Sequence, residues 1–394
     1  MDKKIRAAFN NQFTEEKYKS YLNEFEIIGN HSLDFRIAET PIFIPKEFRE
    51  KMLDTCEYII DFIKDTNFKS ITDNSIPSKY KIPNEEDFPS VLVIDFAVCN
   101  NKQNVPEPQL IEMQGFPSLY GFQIINDEIT RNYAQVPDNY KSYLNGYQKD
   151  SYISLLKEII VAETNKENVI LLDVFPNKQK TRIDFYCIEK LLGIKTVCVT
   201  EIKSNGTELF YLRDGEKIII KKIFNRIVFE ELEKYNLANI IDFNLEYDVE
   251  WINHPNWFNR ISKYTMPFLD HPNIPVTYFL QDIKQPIKLN EFVLKPLFSF
   301  AGMGVIINPS QEDIDLIDDP GNWILQKKVE YAPIVETLED PAKAEIRIFY
   351  FWKKTWERPI AIHNLARLSK GEMIGTRYNE GKKWVGGTIA YFEQ

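Results

Sequence analysis

The sequence predicts an α+β protein carrying a separate α/β unit, and three observations lead to that class. The stretches 89–122 and 292–369 hold apolar, β-rich runs broken by polar loops. The stretch 168–200 alternates strand, helix and strand. The first 70 residues are mostly helical in pattern. A chain of 394 residues with 44% apolar and 13% aromatic content can bury a large core and is long enough for two or three packed units.

In chain order, the helical N-terminal part is interrupted by one Pro-bounded extended stretch, TPIFIP. Next, VLVIDFAV and QLIEM read as a strand pair joined by the polar NNKQNVPEP. NVILLDVF is a buried strand, TRIDFYCIEKLLG has helical spacing and closes on Gly193 as a C-cap should, and IKTVCVT is the next strand. Together they make one right-handed βαβ crossover. ELFYLRDGEKIIIKKIF reads as a hairpin turned at Asp214-Gly215, and IVFEELEKYN as a helix. A short helical piece, NRISKYTMPFL, precedes a β-rich C-terminal third containing WILQKKVEY, AEIRIFYFW and RPIAIHNLARL.

The net charge of −10 argues against general binding to nucleic acid or to an anionic membrane. Cys56, Cys99, Cys187 and Cys198 show no CxxC spacing and read as reduced, packed thiols. His31, His254, His271 and His363 are too scattered for a histidine zinc site. The N-terminus lacks an apolar leader segment and no apolar run approaches a membrane span, so a cytoplasmic location is expected.

The most informative segment is EFVLKPLFSFAGMGVIIN, Glu291 to Asn308. A strand ending in Lys295-Pro296 feeds a small-residue loop that returns into a second strand. Ser299, Ala301, Gly302 and Gly304 would let backbone N–H groups approach phosphate oxygens, and Lys295 would add a point charge. Such a strand-loop-strand lid suits an ATP phosphate tail; the competing reading is a glycine hairpin with a solvated lysine. Lys263 offers a second charge to the phosphates or sits on a solvated helix face. In WILQKKVEYAP, backbone groups between Gln326 and Lys328 suit an adenine edge, and Glu330 or Glu336 suits ribose hydroxyls.

Asp95 interrupts VLVIDFAV and Glu112 interrupts LIEM, placing carboxylates on strands that otherwise want burial. Glu112 and Gln114 share a strand face and offer oxygens suited to Mg²⁺; the competing reading pairs the carboxylates with arginine or water. Arg226, Arg347 and Arg367 follow or lie within apolar runs. Each requires a ligand or an acid partner such as Glu345, which shares a face with Arg347.

These segments resemble the ATP-grasp superfamily, and more closely its circularly permuted branch typified by glutathionylspermidine synthase. VLKPLFSFAGMGV is similar to that branch's Lys-Pro and glycine-loop lid. IDFAV with QLIEMQGFPSLYGFQ is similar to its metal and substrate segment, and IIIKKIFNRIVFEEL to its strand-then-arginine segment. The carboxylates precede the lysine lid, the reverse of the ordinary ATP-grasp order. The sequence departs from the branch at Gln114, usually Asn, at Val93, often Arg, and at Phe300-Ala301, where the synthase has Arg-Glu. There is no sign of the accompanying amidase domain.

The resemblance implies a permuted ATP-grasp fold with a pre-ATP-grasp-like α/β domain. Its parts would be 1–135 (helical segment and metal-binding part), 136–250 (substrate domain) and 251–394 (lid and nucleotide core). It implies an ATP- and Mg²⁺-dependent carboxylate–amine ligase working through an acyl phosphate. Asp95, Glu112 and Gln114 would hold Mg²⁺. Lys263, Lys295, Ser299, Gly302, Gly304, Gln326, Lys328 and Glu330 would hold ATP. Arg347 and Arg367 would stabilise the transferred group, while Arg226 and the Gln114–Gln123 loop with Ser118 would face the carboxylate substrate. A small-molecule kinase on the same scaffold and a non-catalytic nucleotide- or peptide-binding module remain the alternatives.

Overall fold

The computed structural model describes residues 2–29, 33–116, 118–285, 287–299, 302–375 and 378–394. His31, Phe300 and Ala301 lie outside the described residues. Along the chain the strands are β1 (Ile42–Ile44), β2 (Val91–Asn100), β3 (Pro106–Gln114), β4 (Tyr140–Lys141), β5 (Val169–Asp173) and β6 (Lys195–Cys198). They continue with β7 (Lys203–Asn205), β8 (Glu208–Arg213), β9 (Glu216–Ile219), β10 (Lys222–Asn225), β11 (Glu250–Ile252), β12 (Thr277–Phe279) and β13 (Phe292–Pro296). The last are β14 (Ile306–Ile307), β15 (Trp323–Lys327), β16 (Lys343–Phe351), β17 (Ile360–Ser369), β18 (Gly386–Thr388) and β19 (Ala390–Glu393).

The central element is a five-stranded antiparallel sheet ordered β18-β17-β16-β2-β3. One face carries Leu92, Ile94, Phe96, Ala344, Ile346 and Ile348, all buried beneath the helix Lys46–Lys64. That helix presents Phe48, Met52, Cys56, Ile59, Ile60 and Ile63 at the three- and four-residue spacing needed to cover a sheet. Val91, Val93, Phe349 and Phe351 extend the opposite face into a second core with the helices Tyr120–Ala134, Lys149–Ile160 and Arg182–Leu192. Val93, where the resemblance points to arginine, is thus an interior hydrophobe with no polar role.

The expected βαβ unit is present: β5 and β6 pair in parallel around the helix Arg182–Leu192, whose C-cap Gly193 has φ +74°. It belongs to a four-stranded parallel sheet, β11-β10-β5-β6. The hairpin expected at Asp214-Gly215 is also found, with both residues at positive φ, 53° and 86°, as a primed turn requires. Its predicted second strand divides, however. Residues to Ile219 stay in the hairpin, and Lys222–Asn225 crosses to the parallel sheet as β10. A continuous apolar run does not reveal where the chain changes sheets.

The lid segment folds as the expected strand pair, β13 antiparallel to β14, within a sheet ordered β12-β15-β13-β14. The helices Tyr120–Ala134 and Lys149–Ile160 have no counterpart in the sequence reading. All four cysteines are free and buried. His254 and His363 are buried and hydrogen-bonded to backbone carbonyls. Among the described residues no helix is long and apolar enough to cross a membrane.

Candidate functional site

Register alone gathers most of the charged candidates on one side of the central sheet. Asp95 on β2 stands opposite Arg347 on β16 and Glu112 on β3, and Glu345 stands opposite Arg367 on β17. Residues directly opposite in an antiparallel pair project to the same face, as do positions i and i+2 within a strand. Asp95, Glu112, Glu345, Arg347 and Arg367 therefore share it.

Asp95 is fully buried and accepts from both Arg347 Nε (to Oδ1) and Nη2 (to Oδ2) at 2.6 Å, the two-pronged geometry of a guanidinium on a carboxylate. Arg367 Nη2 also donates to Asp95 Oδ2, at 2.8 Å, and to Glu345 Oε1. Tyr331 Oη donates to Glu345 Oε2 at 2.8 Å. Burial by itself pushes Asp95 upward, but Arg347 and Arg367 outweigh it and hold the carboxyl below its ordinary value. Glu345, equally buried, ends above the ordinary value because burial outweighs the pull of Arg367. Asp95 is thus the shared anchor of two arginines, the competing reading weighed for it in the sequence, and both of its oxygens are engaged.

Glu112 and Gln114 are disposed differently. Gln114 Nε2 donates to Glu112 Oε1 at 2.7 Å, which among the described residues leaves Gln114 Oε1 and Glu112 Oε2 uncommitted on one strand face. Two protein oxygens suit Mg²⁺, which takes most of its remaining sphere from water and phosphate. Among the described residues no group of three or more Asp, Glu, His or Cys could hold a metal ion by itself.

Two lysines face this carboxylate. Lys263 is 7% exposed, which excludes the solvated helix face; its Nζ donates to Ser299 O at 2.8 Å and Ser299 Oγ at 3.3 Å. Lys295 Nζ donates to Gln326 Oε1. Among the described residues neither ammonium has a carboxylate within ion-pair distance. Desolvation lowers Lys295 to about 8, with Glu112 opposing the fall and Lys263 adding to it. Lys263 is lowered for the same first reason, against Glu112 and Glu230. Two partly desolvated cations resting on neutral acceptors make a pocket that favours an anion.

The loop above them needs its glycines. Gly302 and Gly304 have φ of 72° and 73°, and added Cβ atoms would stand 3.0 Å from Met373 Cε and from Pro296 Cγ respectively. Gln326 is buried and reaches Ile111 O with Nε2 at 3.4 Å, tying β15 to β3. Lys328 donates its N–H to Glu291 O at 2.8 Å and its Nζ to Asn308 Oδ1, and Glu330 is exposed beyond it. Glu336, the other ribose candidate, offers its carbonyl to Asn10 Nδ2 at 3.2 Å and its charge to Arg6.

Arg226 lies just beyond β10, at the carboxyl end of the parallel strands. Its side chain is 8% exposed, its guanidinium sits 4.7 Å from the Phe116 ring centre and 5.5 Å from that of Phe185, and Asp173 Oδ2 lies 3.8 Å away. Among the described residues neither Nε nor Nη1 has a hydrogen-bond partner, and Glu230 Oε2 is buried in the same unsatisfied state. Burial lifts Asp173 to about 7 although Arg226 pulls it down, and burial also raises Glu230. Sequence reasoning missed Asp173 and Glu230. The available signal at Asp173 was a carboxylate closing an otherwise apolar strand run.

Ser118 is half-buried, in the turn that leads from β3 to the helix Tyr120–Ala134. Asp184 holds that turn by accepting from the N–H groups of Leu119 and Phe122, each at 2.9 Å. The expected loop ends earlier than Gln123, which lies in the first turn of the helix Tyr120–Ala134, fully buried and donating to Thr388 O at 3.4 Å.

No family model and no curated protein matches the chain. Among solved structures it is similar to a glutathione synthetase-like effector from Globodera pallida in the apo form. The TM-score is 0.62 at 11% identity, and the match covers 96% of each chain. The likeness spans nearly the whole of both chains: this protein has a glutathione synthetase-like, mixed α+β fold.

Proposed function

We propose that this protein is an ATP- and Mg²⁺-dependent carboxylate–amine ligase on a circularly permuted ATP-grasp scaffold. The observation that carries the reading is the pair Lys263 and Lys295, both desolvated, without carboxylate partners, and set below a glycine loop beside Glu112. A triphosphate is the anion whose charge and length suit two lysines and a backbone lid.

A carboxylate does not condense with an amine at neutral pH because oxide is a poor leaving group. Attack by the carboxylate oxygen on the terminal phosphorus releases ADP and forms an acyl phosphate. The neutral amine then attacks the acyl carbon, sheds a proton and expels phosphate. No protein nucleophile is needed, so the chain's contribution is position and charge. Lys263, Lys295, Ser299, Gly302 and Gly304 hold the phosphates, with Gln326, Lys328 and Glu330 along the base and ribose. Arg367, anchored with Arg347 on Asp95, faces the transferred group. Arg226, with two guanidinium nitrogens unsatisfied among the described residues, takes the substrate carboxylate beside Ser118. Glu112 and Gln114 would hold Mg²⁺, which supplies charge neutralisation on the phosphates.

A second reading, a non-catalytic nucleotide-binding protein, draws on one observation: Asp95 is consumed by arginines, leaving one open carboxylate, Glu112, in the proposed metal set. Calorimetric titration of ATP with and without Mg²⁺, followed by an ADP-release assay with acid and amine pairs, separates the readings. Mg²⁺-dependent binding with ADP release only when both acid and amine are present supports the ligase. ADP release with acid alone and a stable phosphorylated product supports a kinase. Binding without turnover supports the second reading, and absence of binding rejects all three.

A further inference from the structure

Arg367 is held by one corner of its guanidinium. Nη2 donates to Asp95 Oδ2 at 2.8 Å and to Glu345 Oε1, and among the described residues no acceptor reaches Nε or Nη1. The side chain keeps 31% exposure, which leaves it within reach of a ligand. Asp95 is already locked to Arg347 through two bonds of 2.6 Å. Among the described residues its hydrogen-bond partners are thus one oxygen of Asp95, already shared with Arg347, and Glu345, which leaves Glu345 to set its direction.

Glu345 is itself fixed from the far side by Tyr331 Oη at 2.8 Å. Tyr331 is immobilised by its backbone. It bridges Cys99 at the end of β2, and the next residue donates its N–H to Val98 O at 2.9 Å. It also directly follows Glu330, at the end of the segment proposed to line the base and ribose. Asp95, Glu345, Arg347 and Arg367 sum to no net charge and Glu112 adds a negative one on the same face, so the cluster offers a ligand oriented N–H groups more than a bulk positive field.

We propose that Tyr331 and Glu345 are positioning residues, which aim the free edge of Arg367 at the terminal phosphoryl group of a bound nucleoside triphosphate. This rests on the nucleotide reading of the same site. Tyr331 acts only through Glu345, and Glu345 only through Arg367. Losing either leaves the guanidinium free to turn about Asp95, and the interaction with the third phosphate weakens while those with the first two stay.

The test is calorimetric affinity for ADP and for a non-hydrolysable ATP imido analogue, both with Mg²⁺, in the wild type, Tyr331→Phe, Glu345→Gln and Arg367→Lys. All three variants should bind the triphosphate analogue about tenfold more weakly while ADP affinity changes less than about twofold. A general packing defect would weaken both nucleotides together, and that result, or no change in either, overturns the proposal. A wild type that binds neither nucleotide rejects the nucleotide reading itself and the proposal with it. Should Glu345→Gln fail to fold, Tyr331→Phe removes a single oxygen and still decides. A pH series adds a second criterion: burial, Asp95 and Glu112 raise Glu345 and Arg367 lowers it in both proteins, but the hydroxyl also helps keep it ionised, so the preference for triphosphate should disappear at a slightly higher pH in Tyr331→Phe than in the wild type. Superimposable pH profiles would also overturn the proposal.

Discussion

Asp95 and Arg347 face one another across β2 and β16, joined by two hydrogen bonds of 2.6 Å inside a fully buried environment. A carboxylate in that position serves first to hold an arginine. Asp95→Asn keeps the shape but leaves Arg347 buried with an uncompensated charge. The expected cost is about 3–5 kcal/mol of stability, measured by urea unfolding against the wild type. A loss below about 1 kcal/mol would mean that water replaces the carboxylate.

The same pair sets an acid limit. The folded-state pKa of Asp95 lies below its ordinary 3.8, so its contribution is complete above that value and is lost as pH falls through the lower folded value. Wild-type stability should therefore decline more steeply below pH 3.8 than that of Asp95→Asn, as read from urea midpoints across an acid series.

Lys295 predicts proton uptake on ligand binding. Desolvation lowers it from 10.5 to about 8 in the free protein, so above pH 8 much of it is neutral. An anion beside it restores the charge. Titrating Mg²⁺-ATP near pH 9 in buffers of different ionisation enthalpy should show uptake approaching about one proton. Lys295→Met should abolish the uptake and weaken binding. Lys295 also lowers stability when protonated, and that penalty fades as pH rises from about 8 towards 10.5.

Gly302→Ala and Gly304→Ala should each cost about 1–2 kcal/mol of local backbone strain, because both positions have positive φ and a close neighbour for the new Cβ. The strain falls on the lid, so nucleotide affinity should drop about tenfold, with a loss of unfolding stability no larger than that strain. The reverse pattern would make the loop structural.

Arg226→Met should separate function from stability. Among the described residues two of the arginine's nitrogens lack acceptors and its one ion-pair partner is Asp173, 3.8 Å away, so removal should leave stability within about 1 kcal/mol. Affinity for the carboxylate substrate should fall at least about tenfold, with ADP affinity unchanged. Equal effects on both ligands would detach Arg226 from the substrate.

Several of these relationships were legible in the sequence. Asp95 and Glu112 stood out as carboxylates inside apolar strand runs, and Glu345 and Arg347 as same-face neighbours, because strand periodicity places side chains before any tertiary contact is known. The strand pair around Lys295 and the Asp214-Gly215 turn were readable because their chemistry is local. The helix Tyr120–Ala134 was not. Ten of its side chains or glycines are buried between two layers, so no polar stripe marks its period.

The sequence by itself thus determined the class of fold, the βαβ unit and the charged residues that require partners, since periodicity, turns and buried charge follow from a residue and its near neighbours. Only the tertiary structure decided which partner each one has. Asp95 and Arg347 are 252 positions apart, as Asp95 and Arg367 are 272, and strand order brings them together. Nor does the sequence show that Arg226 and Glu230 keep unsatisfied buried atoms. That state depends on three-dimensional packing, which removes water from a group without supplying a replacement.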